Sequence, residues 1–293
     1  MEQKYEFSSD KLRKLQMKSL EIALYFRAFC KANDLKFFLC GGGCIGAVRH
    51  KGFIPWDDDL DVFMLRDDYE KLGNLWAQTA DTSRYAYCRP DKAHYYRNLF
   101  ATINDNRTTF IKTLQDDLDI NHGLRLDILP LDGYPNSKIA RACQVFWALV
   151  YSIFCAQIPP TNHGKVVNIL GKILLSCAPG KKMRYKIWRF AEKKMSRHKI
   201  CDCNNITELC SGPYYMRKKY PKAAFEEALE VEFEGEMMPI PKGYDDYLRT
   251  AFGDYMRLPP EEKRAPHHDA VFCDLENGYE KYKGVYYCRG ENK

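Results

Sequence analysis

Residues Phe37–Leu65 read FFLCGGGCIGAVRHKGFIPWDDDLDVFML, a glycine turn, a basic loop and a row of carboxylates in one short segment. Glycine has no Cβ, so Gly41-Gly42-Gly43 lets the backbone turn sharply and brings its N–H groups close to a ligand. Cys44–Val48 reads as the first turns of a helix, and a helix N-terminus after a glycine turn favours an anion. Arg49, His50 and Lys51 supply cationic donors, and Gly52–Trp56 closes the loop. If Asp57–Met64 is a strand, Asp57, Asp59 and Asp61 lie on one face, with Leu60, Val62 and Met64 on the core side. Adjacent carboxylates repel one another and call for a cation. The plain alternative is an acidic surface turn.

A second strand candidate is GLRLDILPLDGYP, residues 123–135. Leu124, Leu126 and Ile128 alternate with Arg125 and Asp127, which turns Asp127 away from the core. A third segment, PIPKGYDDYLRTAFGDYMRLPPEEKRAPHH at 239–268, contains a short helix over Tyr244–Phe252 stopped at Gly253. Its Lys242, Arg264, His267 and His268 either reach a ligand or belong to a surface tail.

These three segments, in this order, resemble the signature of the LicD family, which includes the fukutin-related proteins. The resemblance implies an α/β (α+β) fold with a nucleotidyltransferase-like mixed sheet flanked by helices. It also implies transfer of a phospho-alcohol, typically phosphocholine, from a CDP-activated donor to a glycan or glycolipid hydroxyl, releasing CMP. In that plan Asp59 and Asp61 are the main ligands of Mg²⁺ (or Mn²⁺), with Asp57 as an extra one. Asp127 is a ligand or the base that takes the acceptor's proton. Gly42, Gly43 and Arg49 hold the phosphates, with His50, Lys51, Trp56, Lys242, Arg264 and His267 as further contacts. Two rivals share the motifs: a nucleotidyltransferase that releases diphosphate, and an inactive partner subunit.

The rest of the chain divides by composition. The expected units are a catalytic core over 1–135, a helical insertion over 136–225 and a C-terminal segment over 226–293 that packs back on the core. Leu12, Leu15, Leu20, Ile22, Leu24 and Phe26 recur at helical spacing, which predicts a helix over Ser8–Asn33 rather than a signal peptide. Asp67–Ala80 reads as a helix after the acidic strand. Tyr96–Ile103 and Thr108–Thr113 read as strands joined by a hairpin-like turn. Ala142–Ile158 is 17 residues without a charge, and Lys181–Lys199 holds nine Lys or Arg and one Glu. This is either a pair of buried helices or a membrane-facing hairpin with a basic flank. The expected location is the cytoplasm, at the inner face of the membrane if the hairpin meets lipid.

At 45% hydrophobic the 293 residues can bury a sizeable core. The net charge of +6 raises nucleic acid as a partner, but the charge concentrates in the inserted segment and no nucleic-acid motif appears, so none is expected. Aromatic residues such as Trp56, Tyr95 and Tyr96 suit a trimethylammonium group. The 12 cysteines are expected to be reduced core residues. His198, Cys201, Cys203 and Cys210 either follow that rule or form a structural zinc site.

Overall fold

The computed structural model describes residues 7–159, 165–266 and 270–289. Helix α1, Ser9–Ala32, starts where the Ser8 hydroxyl accepts from the Lys11 N–H and ends at Asn33. Its Leu15, Ile22 and Phe26 are buried, as the spacing predicts. The short strand β1, Phe38–Leu39, leads into α2, Gly41–His50. The three glycines therefore do not precede the helix as a loop. They are its first turn.

Strand β2, Asp61–Leu65, runs straight into α3, Arg66–Thr79. Then come β3, Tyr85–Cys88, β4, Ala101–Asp105, β5, Thr109–Lys112, and the long strand β6, Leu124–Tyr134. The main sheet has the order β1-β2-β6-β4-β3, with β2 parallel to β6 and the other pairs antiparallel. Val62 and Met64 face the side covered by α1 and α3, where Phe26, Phe29 and Trp76 pack together. Asp61 and Phe63 lie on the opposite side, and Phe63 packs edge-on against Phe225 and Tyr247.

The hairpin expected between β4 and β5 does not form. The turn is present, with Thr108 N donating to Asp105 O at 3.1 Å. Both edges of β4 are already taken by β3 and β6, so β5 pairs instead with the C-terminal strand β11, Ala270–Asp274.

After β6 come three helices: α4, Lys138–Ala156, α5, Lys165–Ser176, and α6, Lys181–Met195. The helical part ends there. β7, Asn205–Glu208, pairs antiparallel with the far half of β6, and β8, Tyr220–Pro221, pairs with β7. Within the segment expected as an insertion, β7 and β8 thus extend the main sheet. The hairpin β9–β10, Ala228–Phe233 and Glu236–Pro241, and helix α7, Tyr244–Phe252, lie against the core. Glu234, at the hairpin tip, accepts from the Phe53 N–H at 2.9 Å and from the Arg13 guanidinium, clamping the loop after α2.

A buried ion-pair network joins the helices to the sheet. Arg66 grips Asp132 of β6 through two bonds of 2.8 and 2.7 Å, and Arg89 pairs with Glu70 and with Glu192 of α6.

Candidate active site

Strand register decides which acids meet. Asp61 of β2 stands directly beside Asp127 of β6, and in adjacent parallel strands register partners share a face. The row continues through Thr102 of β4 to Cys88 of β3. Four residues from four strands therefore form one line across a single face of the sheet.

Asp57 and Asp59 reach this place by a different route from the one the alternation suggests. β2 begins only at Asp61, so Asp57–Leu60 is an irregular lead-in. Gln16 of α1 holds it by donating to the carbonyls of Ile54 and Asp57 at 3.3 and 2.9 Å. A compact turn lets Asp58 join its neighbours: carboxylate oxygens of Asp57, Asp58 and Asp59 lie within 4.8 Å of one another. Asp58 was missed because strict alternation sends it to the core side.

Electrostatics bind the two groups together. Burial, then Asp59 and Asp127, push the Asp61 carboxyl well above the ordinary aspartate range, with Lys112 of β5 opposing. Lys112 is itself pushed down, by burial first and then by Arg125, while the acids pull it up. Arg125 sits two residues before Asp127 on the same face and meets its carboxylate at 2.7 Å. Arg125 could have been found from the alternation. Lys112 could not, because only the pairing of β5 with β11 carries it here.

The residues fit a divalent cation. Asp61 Oδ1 is buried and has no hydrogen-bond partner, a costly state for a carboxylate oxygen unless a cation meets it. A set of carboxylate oxygens is the donor chemistry that suits Mg²⁺ or Mn²⁺.

Two of the glycines make room for the chain that carries the acids. A Cβ on Gly42 would lie 2.0 Å from Asp57 Oδ2, and one on Gly43 would lie 2.8 Å from Leu60 Cδ1. Gly42→Ala should keep the fold, because alanine favours a helix, yet displace the Asp57 carboxylate. The expected result is an unchanged melting midpoint with metal affinity reduced about 10- to 100-fold, read by Mg²⁺ titration of thermal stability.

A cationic corner adjoins the acids. Arg264 lies over the Trp56 ring at 5.6 Å, and Arg49 Nε approaches His50 Nδ1 at 3.4 Å. Arg49 is pushed down by burial and then by Arg264, and His50 by burial and then by Arg49. The Arg49 guanidinium donates to the Tyr255 carbonyl at 2.7 Å. Four of the expected contacts are thus neighbours. Two are not: Lys51 pairs with Glu232 at 3.2 Å and Lys242 with Glu227 at 2.7 Å, both at exposed positions. His267 and His268 lie outside the described residues. The aromatic candidates are also dispersed. Tyr95 faces Lys181, whereas Tyr96 reaches Cys88 at the end of the transverse row.

The cysteine cluster is not assembled. Among the described residues, no three of His198, Cys201, Cys203 and Cys210 bring ligand atoms together as Asp57–Asp59 do. Strand β7 separates Cys203 from Cys210, and its four residues alone span roughly 13 Å. Cys203 lies against Gly133 of β6, and Cys210 is buried beside Arg66 and Asp132.

The mixed sheet with facing acids on neighbouring parallel strands, after a glycine-opened helix, is the part of the chain that a nucleotidyltransferase-domain family matches. Residues 34–135 match the family described as LicD/FKTN/FKRP, nucleotidyltransferase domain. Over 266 residues the chain is 33% identical to the lipopolysaccharide cholinephosphotransferase LicD of Haemophilus influenzae, covering 88% of this chain and 96% of that protein. A stretch of 46 residues is 47% identical to an uncharacterized protein of Rickettsia prowazekii, covering 16% of this chain and 17% of that one. The chain belongs to the LicD family.

Proposed function

We propose that the protein transfers a phospho-alcohol, phosphocholine foremost, from a CDP-activated donor to a hydroxyl of a glycan or lipid-linked glycan. The observation that carries this reading is the Asp61–Asp127 pair with its orphaned buried oxygen, in a chain related along most of its length to a cholinephosphotransferase.

Asp59, Asp61 and Asp127, with Asp57, would hold the cation. Bound there, Mg²⁺ supplies neutralisation of the donor's diphosphate and of the charge that develops on departing CMP. Arg49 and Arg264 offer cationic donors to phosphate oxygens from the adjoining corner, with His50, held towards its neutral form, beside Arg49. The acceptor oxygen attacks the phosphorus that bears the alcohol. The bond from that phosphorus to the bridging oxygen breaks, and CMP leaves with the electron pair. Asp127 is placed to receive the acceptor's proton, and Arg125 beside it fixes the orientation of the carboxylate. Positioning and fixed charge supply most of the acceleration in such reactions.

The test is CMP release from CDP-choline, CDP-ethanolamine, CDP-ribitol and CDP-glycerol, with Mg²⁺ and with EDTA. Mg²⁺-dependent CMP from one donor is the expected result, and slow hydrolysis without acceptor suffices to reveal it. No release from any donor, together with diphosphate release from a nucleoside triphosphate, would replace this reading with nucleotidyl transfer.

A further inference from the structure

The first half of helix α4 has polar residues inward and apolar ones outward, while its second half buries Ala148, Tyr151, Phe154 and Cys155. Arg141 and Gln144 are buried, while Ile139 is 79% exposed and Phe146 57%. The buried pair has a structural purpose. Gln144 donates to the carbonyls of Gly133 and Met195 at 2.9 Å each, and Arg141 donates to Thr207 and to the Met216 carbonyl. These bonds hold α4 on β6 and β7 and leave Ile139, Ala142, Cys143, Phe146 and Leu149 along one outward line.

Helix α6 continues the surface. Its outward line reads Met183, Lys186, Phe190, Lys193, with Lys182 beside it. Phe190 meets Trp147 at 5.3 Å and Trp147 meets Phe146 at 5.1 Å, so the apolar lines of α4 and α6 join through three aromatic rings. Ile169, Ile173 and Leu174 of α5 add exposed apolar area.

Charge indicates what covers this face. Residues 138–199 hold thirteen Lys or Arg and one acid, Glu192. That acid is buried among Arg66, Arg89 and Arg189, so of the thirteen cations it pairs with Arg189 and leaves the outward lysines without an acid from this segment. Isolated exposed apolar residues are ordinary, but a joined aromatic and aliphatic patch ringed by cations only is the pattern of an interfacial helix. By length and composition α4 could span a bilayer. Spanning would strip Arg141 and Gln144 of their partners, which favours a helix lying in the interface plane.

We infer that the outward face of α4 and α6 docks on an anionic lipid bilayer, with Phe146, Trp147 and Phe190 in the headgroup–acyl boundary and Lys182, Lys186 and Lys193 on anionic headgroups. This inference is independent of the reaction proposed above.

Flotation of the full chain with vesicles of phosphatidylcholine containing about one-third phosphatidylglycerol tests it, against pure phosphatidylcholine. The protein should float with the anionic vesicles and be released by salt, as screening predicts. Replacing the three lysines (Lys182→Gln, Lys186→Gln, Lys193→Gln) should weaken binding about 100-fold, from about 1 kcal/mol per charge. Phe146→Glu with Phe190→Glu should abolish it. CDP-choline hydrolysis in solution should be unchanged in both variants, which separates failure of docking from failure of the catalytic reading. Should the phenylalanine variant not fold, the lysine variant alone decides. Wild-type protein that ignores anionic vesicles overturns the inference, as does equal flotation of the folded variants. A soluble dimer dissociated by Phe146→Glu, without vesicle binding, would assign the face to a second copy of the chain.

Discussion

Asp61→Asn is expected to lower Mg²⁺-dependent CMP release by at least about 1,000-fold, the equivalent of several kcal/mol of charge stabilisation. The same change should raise the melting midpoint of the metal-free protein. Without a cation, Asp61 holds a buried carboxylate beside Asp59 and Asp127, with one oxygen unsatisfied. Asparagine keeps the shape and removes the charge. The sign with pH follows from the raised folded-state pKa. Above the ordinary value of 3.8 the folded chain retains a proton that the unfolded chain has lost. The stability contributed by protonated Asp61 is therefore complete below 3.8 and is lost as pH rises towards the folded-state value. The advantage of Asp61→Asn over wild type should grow across that window and vanish below it. Mg²⁺ should stabilise wild type and leave the variant nearly unmoved. Melting curves in EDTA and in Mg²⁺ across pH measure all three. A variant that keeps a tenth of wild-type activity, or that still responds fully to Mg²⁺, would remove Asp61 from the cation site.

Arg66→Met is expected to destabilise the fold by about 3–5 kcal/mol, because it leaves the Asp132 carboxylate buried without its partner. Asp132 is wholly buried and receives two bonds from Arg66. The effect should be larger than that of an exposed ion pair, since water cannot take the guanidinium's place. The double variant Arg66→Met with Asp132→Leu should recover most of the loss, because removing both charges leaves no buried ion unpaired: Glu192 keeps Arg89 and Arg189. Urea unfolding reads both, as a lower midpoint at unchanged slope for the single variant and a return towards wild type for the double one. A single variant within 1 kcal/mol of wild type would show that Asp132 finds another partner or carries a proton there.

What the sequence made legible was local. The helix over Ser9–Ala32 was readable from its apolar spacing, and the helix Tyr244–Phe252 from the glycine that stops it. Alternation in Leu124–Ile128 placed Asp127 on the face it shares with Asp61, although the strand that delivers Asp61 begins later than alternation suggested. What escaped was set by pairing between distant segments. Nothing in residues 205–221 announces that β6, released by β4 beyond Ile128, leaves an edge for β7 to fill. The same kind of pairing, β5 with β11, brings Lys112 to the acids. The cysteine spacing alone left two readings open because it does not show β7, which lies between Cys203 and Cys210. That Gly42 also makes room for Asp57 could not be read from the sequence, because it depends on how the segment 57–60 folds back on the helix.

The parallel pairing of β2 with β6 has an evolutionary consequence. Asp61 and Asp127 are held at one backbone spacing by the sheet itself, while α3, β3, β4 and β5 lie in the connection between them. Insertions or deletions in that connection can reshape the rim over the acids without moving the acids. Such a scaffold uncouples the spacing of the two acids from the length and shape of the chain around them.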